Sequence, residues 1–137
     1  RVGVLIPRLK AEGIDLHYHN HDHEFRANED GLIPEEELLK RTDILLEVDT
    51  YWVFAAAKDP VALGNEHKDR IRVIHLKDGI GGDEGTSLGL GKAPVQEVRK
   101  TAIDLGLTMV VESEGLDPTG LEEVKRCIDY LKEEDKK

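Results

Sequence analysis

The sequence predicts an α/β fold built on parallel strands, and three observations carry that prediction. Four apolar, β-branched segments recur along the chain: IDLHYHN (14–20), ILLEVDT (44–50), IRVIHLK (71–77) and LTMVVES (107–113). Helix-type segments with physical start signals lie between them, and strands that alternate with helices pair in parallel through βαβ units. Each strand segment also ends in a side chain able to bind a metal ion or move a proton.

The opening stretch RVGVLIPRLKAEG has no initiator methionine and reads as the tail of a helix that stops at Gly13, so the chain reads as a fragment. Pro34 starts a helix over EEELLK, Asp59-Pro60 one over VALGNEHK, and Pro94 one over VQEVRKTAIDLG, which Gly106 stops. The last helix opens with the capping box Thr119-x-x-Glu122. On its amphipathic pattern Cys127, the only cysteine, is a half-buried thiol, and no disulfide is possible within one chain. With 137 residues there is material for one core, and with no linker or low-complexity run the expectation is a single domain over 1–137.

Charged residues make up 35% of the chain, aromatics 4%, and the net charge is −10. A phosphate backbone would be repelled by that balance, so a nucleic-acid partner is disfavoured. No apolar run approaches the roughly 20 residues of a membrane span, and no signal segment opens the chain, which makes the reducing cytosol the default compartment.

The stretch LHYHNHDHEF, residues 16–25, holds four of the six histidines. His17, His19 and His21 close the first strand segment, Asp49 the second, His75 the third and Glu112 the fourth. In a parallel sheet or barrel all strand C-termini lie on one face, where α/β folds keep their active sites. A single such residue reads as a hydrogen-bonded strand cap; four in register point to a site. Carboxylates and imidazoles without a cysteine suit a divalent ion such as Mn²⁺, Co²⁺, Zn²⁺ or Mg²⁺.

The stretches YHNHDHEF, EVDTYWVFAAAKDP, RIRVIHLKDG, LGLGKAPV and VVESEG resemble, in order, the sugar phosphate isomerase/epimerase group with the xylose-isomerase-like TIM barrel. The resemblance implies the C-terminal half of such a barrel, strands five to eight, with the first half absent. It also implies a divalent metal held by Asp49, His75, Glu112 and a fourth ligand. That ligand is usually a glutamate, which makes Glu24 the choice ahead of His19 and His21. Strand parity puts His17, His19 and His21 on one face and Leu16, Tyr18 and Asn20 on the other, but does not reach Glu24, which lies past the strand.

In enzymes of this group the metal chelates a carbonyl and a neighbouring hydroxyl of a sugar while a carboxylate removes a proton, giving an enediolate. Glu112 and Glu24 are the candidate bases. His19 and His21 are placed to orient a hydroxyl or relay a proton, Lys77 shares the inward face of His75, and Trp52 walls the sugar site. The bland alternatives are a salt bridge from Lys77 to Asp78 or Glu47, ordinary packing for Trp52, and a simple turn for GLGK.

Three competing functions are weighed. The type-IV apurinic endonucleases share VDTYWVFAAA and GLGK, but they need a histidine where this chain has Trp52 and an Asp-x-His pair where it has GGDEGTSLGLGK. An inosose-type dehydratase on the same barrel would use the same proton abstraction. A non-catalytic half-barrel would need a partner, either an N-terminal half-barrel or a second copy, because the strands at 14–20 and 107–113 are left as open edges.

Overall fold

The computed structural model describes residues 2–82 and 84–137. After helix α1 (Val2–Ala11), the chain runs through β1 (His17–His19), a 3₁₀ turn (His23–Phe25), α2 (Pro34–Arg41), β2 (Leu45–Asp49), α3 (Thr50–Ala55) and α4 (Pro60–Glu66). It continues through β3 (Ile71–Leu76), the short pair β4 (Asp78–Gly81) and β5 (Glu84–Thr86), α5 (Val95–Asp104), β6 (Thr108–Val111) and α6 (Gly120–Glu134). Four strands form one sheet in the order β1-β2-β3-β6, every pairing parallel. The parallel α/β architecture expected from the sequence is therefore present, and β1 and β6 are the two outer strands of the sheet among the described residues.

The helix starts follow their local chemistry. Pro34 and Pro60 open α2 and α4, and the Asp59 side chain accepts from the backbone N–H of Val61 and Ala62 at 2.9 and 3.1 Å. Three glutamates in the first turn of α2 and Lys40 and Arg41 in its last turn match the helix dipole at both ends. Thr119 accepts from the backbone N–H of Glu122 at 3.3 Å and donates to its carboxylate at 2.8 Å. Gly106, at φ +67°, turns the chain out of α5 in the left-handed conformation that glycine adopts at low cost.

One face of the sheet builds the core. Leu46, Val48, Ile74 and Leu76 point into it together with Val53, Val95, Val98 and Ala102 of the helices. By alternation, Glu47, Asp49, His75 and Glu112 fall on the other face. Cys127 is wholly buried in the core rather than half-buried, and its sulfur accepts from the Leu88 N–H at 3.3 Å. No helix among the described residues is long and apolar enough to cross a membrane.

Two elements depart from the sequence pattern. Helix α3 starts directly on Asp49 with no proline or glycine to announce it, and the segment after β3 forms an antiparallel pair where a plain loop is expected. Asp78 explains the second. Its buried carboxylate accepts the backbone N–H of Gly79, Gly89, Gly91 and Ala93 at 2.8, 2.9, 3.0 and 3.0 Å. The SLGLGK loop is thus wrapped on a carboxylate, and a Cβ at Gly91 would meet Asp78 Oδ1 at 2.1 Å and the Gly79 backbone at 2.5 Å. These glycines serve an internal turn.

Asp78→Ala strands four backbone donors and should lower the unfolding free energy by about 3 kcal/mol or more in urea titrations. Gly91→Ala should act in the same direction, whereas wild-type stability in either variant would show that the loop is held by something else.

Candidate metal and active site

Parallel register brings the strand ends together. His19 pairs with Glu47, Asp49 with His75, and His75 with Val110, leaving Glu112 one residue beyond the end of β6. Glu112 still bonds back to the sheet, its N–H donating to the Leu76 carbonyl at 3.0 Å. Potential ligand atoms of His19, Asp49, His75 and Glu112 all lie within 4.8 Å of one another.

Asp49 is the pivot. Its Oδ1 caps α3 by accepting from the N–H of Tyr51 and Trp52 at 3.0 and 3.3 Å, while Oδ2 faces His19 Nε2 at 3.6 Å and Lys77 Nζ at 3.7 Å. The side-chain amide of Asn20 holds its backbone, donating to the Asp49 carbonyl at 3.1 Å and accepting from its N–H at 3.0 Å. Burial pushes the Asp49 carboxyl up to about 6, against the pull of Lys77. Burial and the neighbouring His75 lower the His19 pKa, which favours a neutral imidazole with a free lone pair. Glu112 is pushed up by burial but held lower on balance by its hydrogen bond with His75 and by Lys77.

Lys77 is 1% exposed and ringed by acids: Glu114 at 2.6 Å, Glu112 at 3.4 Å and Asp49 at 3.7 Å. Its ammonium sits 4.6 Å from the centroid of Trp52, and among the described residues its salt bridges run to those three acids rather than to the expected Asp78 or Glu47. Burial lowers its pKa, but Glu114 and Asp49 outweigh this and raise it, so the amine stays charged. His21 packs against Trp52 and His19, with ring centroids 5.4 and 5.2 Å apart. Glu123 of α6 anchors the segment after Glu112 through the Ser113 hydroxyl at 2.5 Å and the Asp117 N–H at 3.2 Å.

Glu24, the expected fourth ligand, is not in the group of four. The 3₁₀ turn folds its carboxylate back onto the Tyr18 hydroxyl and the His21 N–H, both at 2.7 Å, with His23 Nε2 at 2.9 Å. His19 is the fourth member of that group. Burial pushes Glu24 up, yet the bonds from Tyr18 and His21 bring it below the usual carboxylate range, and the Tyr18 phenol rises to about 12 by burial and the Glu24 contact.

The donor set fits a divalent cation. Two imidazoles and two carboxylates converge, and two of their atoms, His19 Nε2 and Asp49 Oδ2, are buried with no hydrogen-bond partner among the described residues. Leaving such groups unpaired costs roughly 1–3 kcal/mol each, which coordination would recover. The Trp52 indole N–H is likewise buried and without a hydrogen-bond partner among the described residues. Sequence reasoning missed Asn20, Glu47 and Glu114 as partners of this centre. Strict alternation puts Asn20 on the other face, and it fails where the strand ends at His19.

Fold and site together define half of a TIM-barrel-like α/β protein with an imidazole–carboxylate centre at the strand C-termini. Over 94% of its length the chain matches 50% of a sugar phosphate isomerase/epimerase from Parabacteroides distasonis, with 32% identity and a TM-score of 0.75. It also matches a xylose isomerase domain protein from Planctomyces limnophilus (15% identity, 96% of this chain, 50% of that one, TM-score 0.70). A D-tagatose 3-epimerase-like protein matches at 22% identity over 96% of this chain and 51% of that one, with a TM-score of 0.69. The last two speak to fold alone. The chain thus spans about half the length of these solved structures, and its resemblance to the sugar phosphate isomerase/epimerase group runs through nearly all of it. No protein-family model and no curated protein matches it.

Glu35, buried beneath the 3₁₀ turn with one carboxylate oxygen unpaired among the described residues, is raised to about 7 from 4.5 by burial and by Glu24. A raised carboxyl binds its proton more tightly when folded, so its contribution to stability is full below 4.5 and falls as pH climbs through about 7. Glu35→Gln should remove a loss of roughly 3 kcal/mol between about pH 4 and pH 8, seen as a flatter pH profile of urea midpoints. Parallel wild-type and variant profiles would refute it.

Proposed function

We propose that this chain is the metal-binding, C-terminal half of a sugar isomerase or epimerase that removes and returns a proton beside a carbonyl. The supporting observation is the convergence of His19, Asp49, His75 and Glu112 from four neighbouring strands. These four would hold the divalent cation, Mn²⁺, Co²⁺, Zn²⁺ or Mg²⁺, with His19 taking the place first given to Glu24. When bound, the cation supplies Lewis-acid stabilisation to an oxygen that gains negative charge as the proton leaves.

The chain's own residues supply the rest. Glu112, kept ionised by His75 and Lys77, is the base that takes the proton; returning it to the adjacent carbon of the enediolate gives isomerisation, whereas epimerisation needs a second acid on the opposite face. Lys77 presents a fixed positive charge to a sugar oxygen, since Glu114 and the Trp52 face leave its ammonium little freedom. The unpaired Trp52 N–H offers a donor to a hydroxyl, and His21, packed on Trp52, completes that wall. Glu24 positions His21 through its backbone N–H.

The remaining wall comes from another half-barrel. Among the described residues β1 and β6 each have a neighbouring strand on one side only, and the solved relatives are about twice as long. An N-terminal half of the same polypeptide or a second copy would pair with both edges.

Calorimetric titration with Mn²⁺ tests the ligand set: about one ion per chain, weakened at least 10²-fold by His19→Ala or Asp49→Asn and within a few-fold of wild type in Glu24→Gln. Loss of binding in Glu24→Gln alone would reinstate Glu24 as the ligand. In the complete enzyme, Glu112→Gln should lower kcat by roughly 10²-fold or more, and near-normal turnover with full metal content would remove Glu112 from the chemistry.

A further inference from the structure

We infer that Glu47 is a positioning residue for the centre: it fixes the tautomer and ring orientation of His75, so that Nδ1 and not Nε2 is presented to a cation. The inference rests on the metal-binding reading above and extends it to a residue outside the four.

Glu47 lies two residues before Asp49 on β2, and strand alternation puts both side chains on the same face. Its Oε1 is 2.9 Å from His75 Nε2, while His75 Nδ1 faces the Glu112 carboxylate. An ionised carboxylate can only accept, so a hydrogen bond at that distance requires Nε2 to carry hydrogen. Once a cation displaces the Glu112 contact, Nδ1 is the nitrogen left with a lone pair facing the other three ligands. Without Glu47 the only carboxylate left on the ring is Glu112, which favours hydrogen on Nδ1, the nitrogen a cation needs bare, or a ring flip that turns Nδ1 away.

Glu47 is itself held. Its second oxygen lies 3.8 Å from His17 Nδ1 on the neighbouring strand, so the carboxylate bridges two imidazoles across β1, β2 and β3. Carboxylates in this relation to a ligating histidine are known to raise its basicity and fix its orientation, and their removal typically weakens metal binding 10–100-fold. The sequence pattern Glu-x-Asp on β2 therefore carries a ligand and the orienter of the next strand's ligand on one strand.

The test uses the whole chain in wild-type, Glu47→Ala and Glu47→Gln forms. Titrated with Co²⁺ and followed by visible absorption, Glu47→Ala should bind roughly 10–100-fold more weakly with a changed ligand-field spectrum. Glu47→Gln, whose amide oxygen still accepts from Nε2–H, should stay within a few-fold of wild type. In the metal-free chain, long-range proton–nitrogen correlations should show hydrogen on Nε2 of His75 in wild type and Glu47→Gln, and a bare Nε2 with hydrogen held on Nδ1 by Glu112 in Glu47→Ala. Wild-type Co²⁺ affinity and spectrum in Glu47→Ala, or a bare Nε2 in the wild-type chain, would overturn the inference. Failure of the wild-type chain to bind Co²⁺ would instead sink the metal reading, while the nitrogen spectra still decide what Glu47 does to His75.

Discussion

The structure hinges on the two oxygens of Asp49. One caps helix α3 and the other is left facing His19 and Lys77. A side chain that is 0% exposed and shares its oxygens between a helix N-terminus and an open cluster has almost no conformational freedom. Its backbone is equally constrained, because the Asn20 amide replaces the ladder partner that β1 no longer supplies. From this one position follow the direction of α3, the placement of Trp52 and the orientation of a carboxylate toward the neighbouring strands. Burial of the charge is costly in itself, as its raised pKa shows, and what offsets it is the ammonium of Lys77.

Lys77 in turn explains why so many acids can share a small volume. Asp49, Glu112 and Glu114 all lie within 4 Å of its nitrogen, and the ring of Trp52 closes the remaining side. One buried cation does not balance three carboxylates, and the excess negative charge sits where the unpaired atoms of His19 and Asp49 converge. Charge balance and unsatisfied donors thus point to the same place, which is the physical reason for reading the cluster as a cation site rather than as a structural ion-pair network.

Much of this was legible in the sequence. Alternating segments ending in His17, His19 and His21, in Asp49, in His75 and in Glu112 were enough to define a parallel sheet with a polar C-terminal edge, because strand direction and the two-residue period leave few alternatives. Helix starts at Pro34, Pro60 and Thr119 were equally plain. What was not legible lies just past the strand ends. Glu24 could be placed by analogy alone, and the choice between it and His19 depends on a 3₁₀ turn that carries no distinctive residue pattern. Helix α3 is started by a side chain that also belongs to the site, and the SLGLGK loop is organised by Asp78 from ten or more positions away, so local signals misjudge both.

On this reading, four strands in parallel register hold a cation between His19, Asp49, His75 and Glu112. Diffraction from crystals of the chain soaked in Mn²⁺, with data collected at the manganese absorption edge, addresses it directly. One strong anomalous peak is expected at roughly 2.0–2.3 Å from a donor atom of each of these four residues. A peak coordinated by Glu24 in place of His19 would contradict the ligand assignment, and no peak at the strand C-termini would contradict the cation site itself.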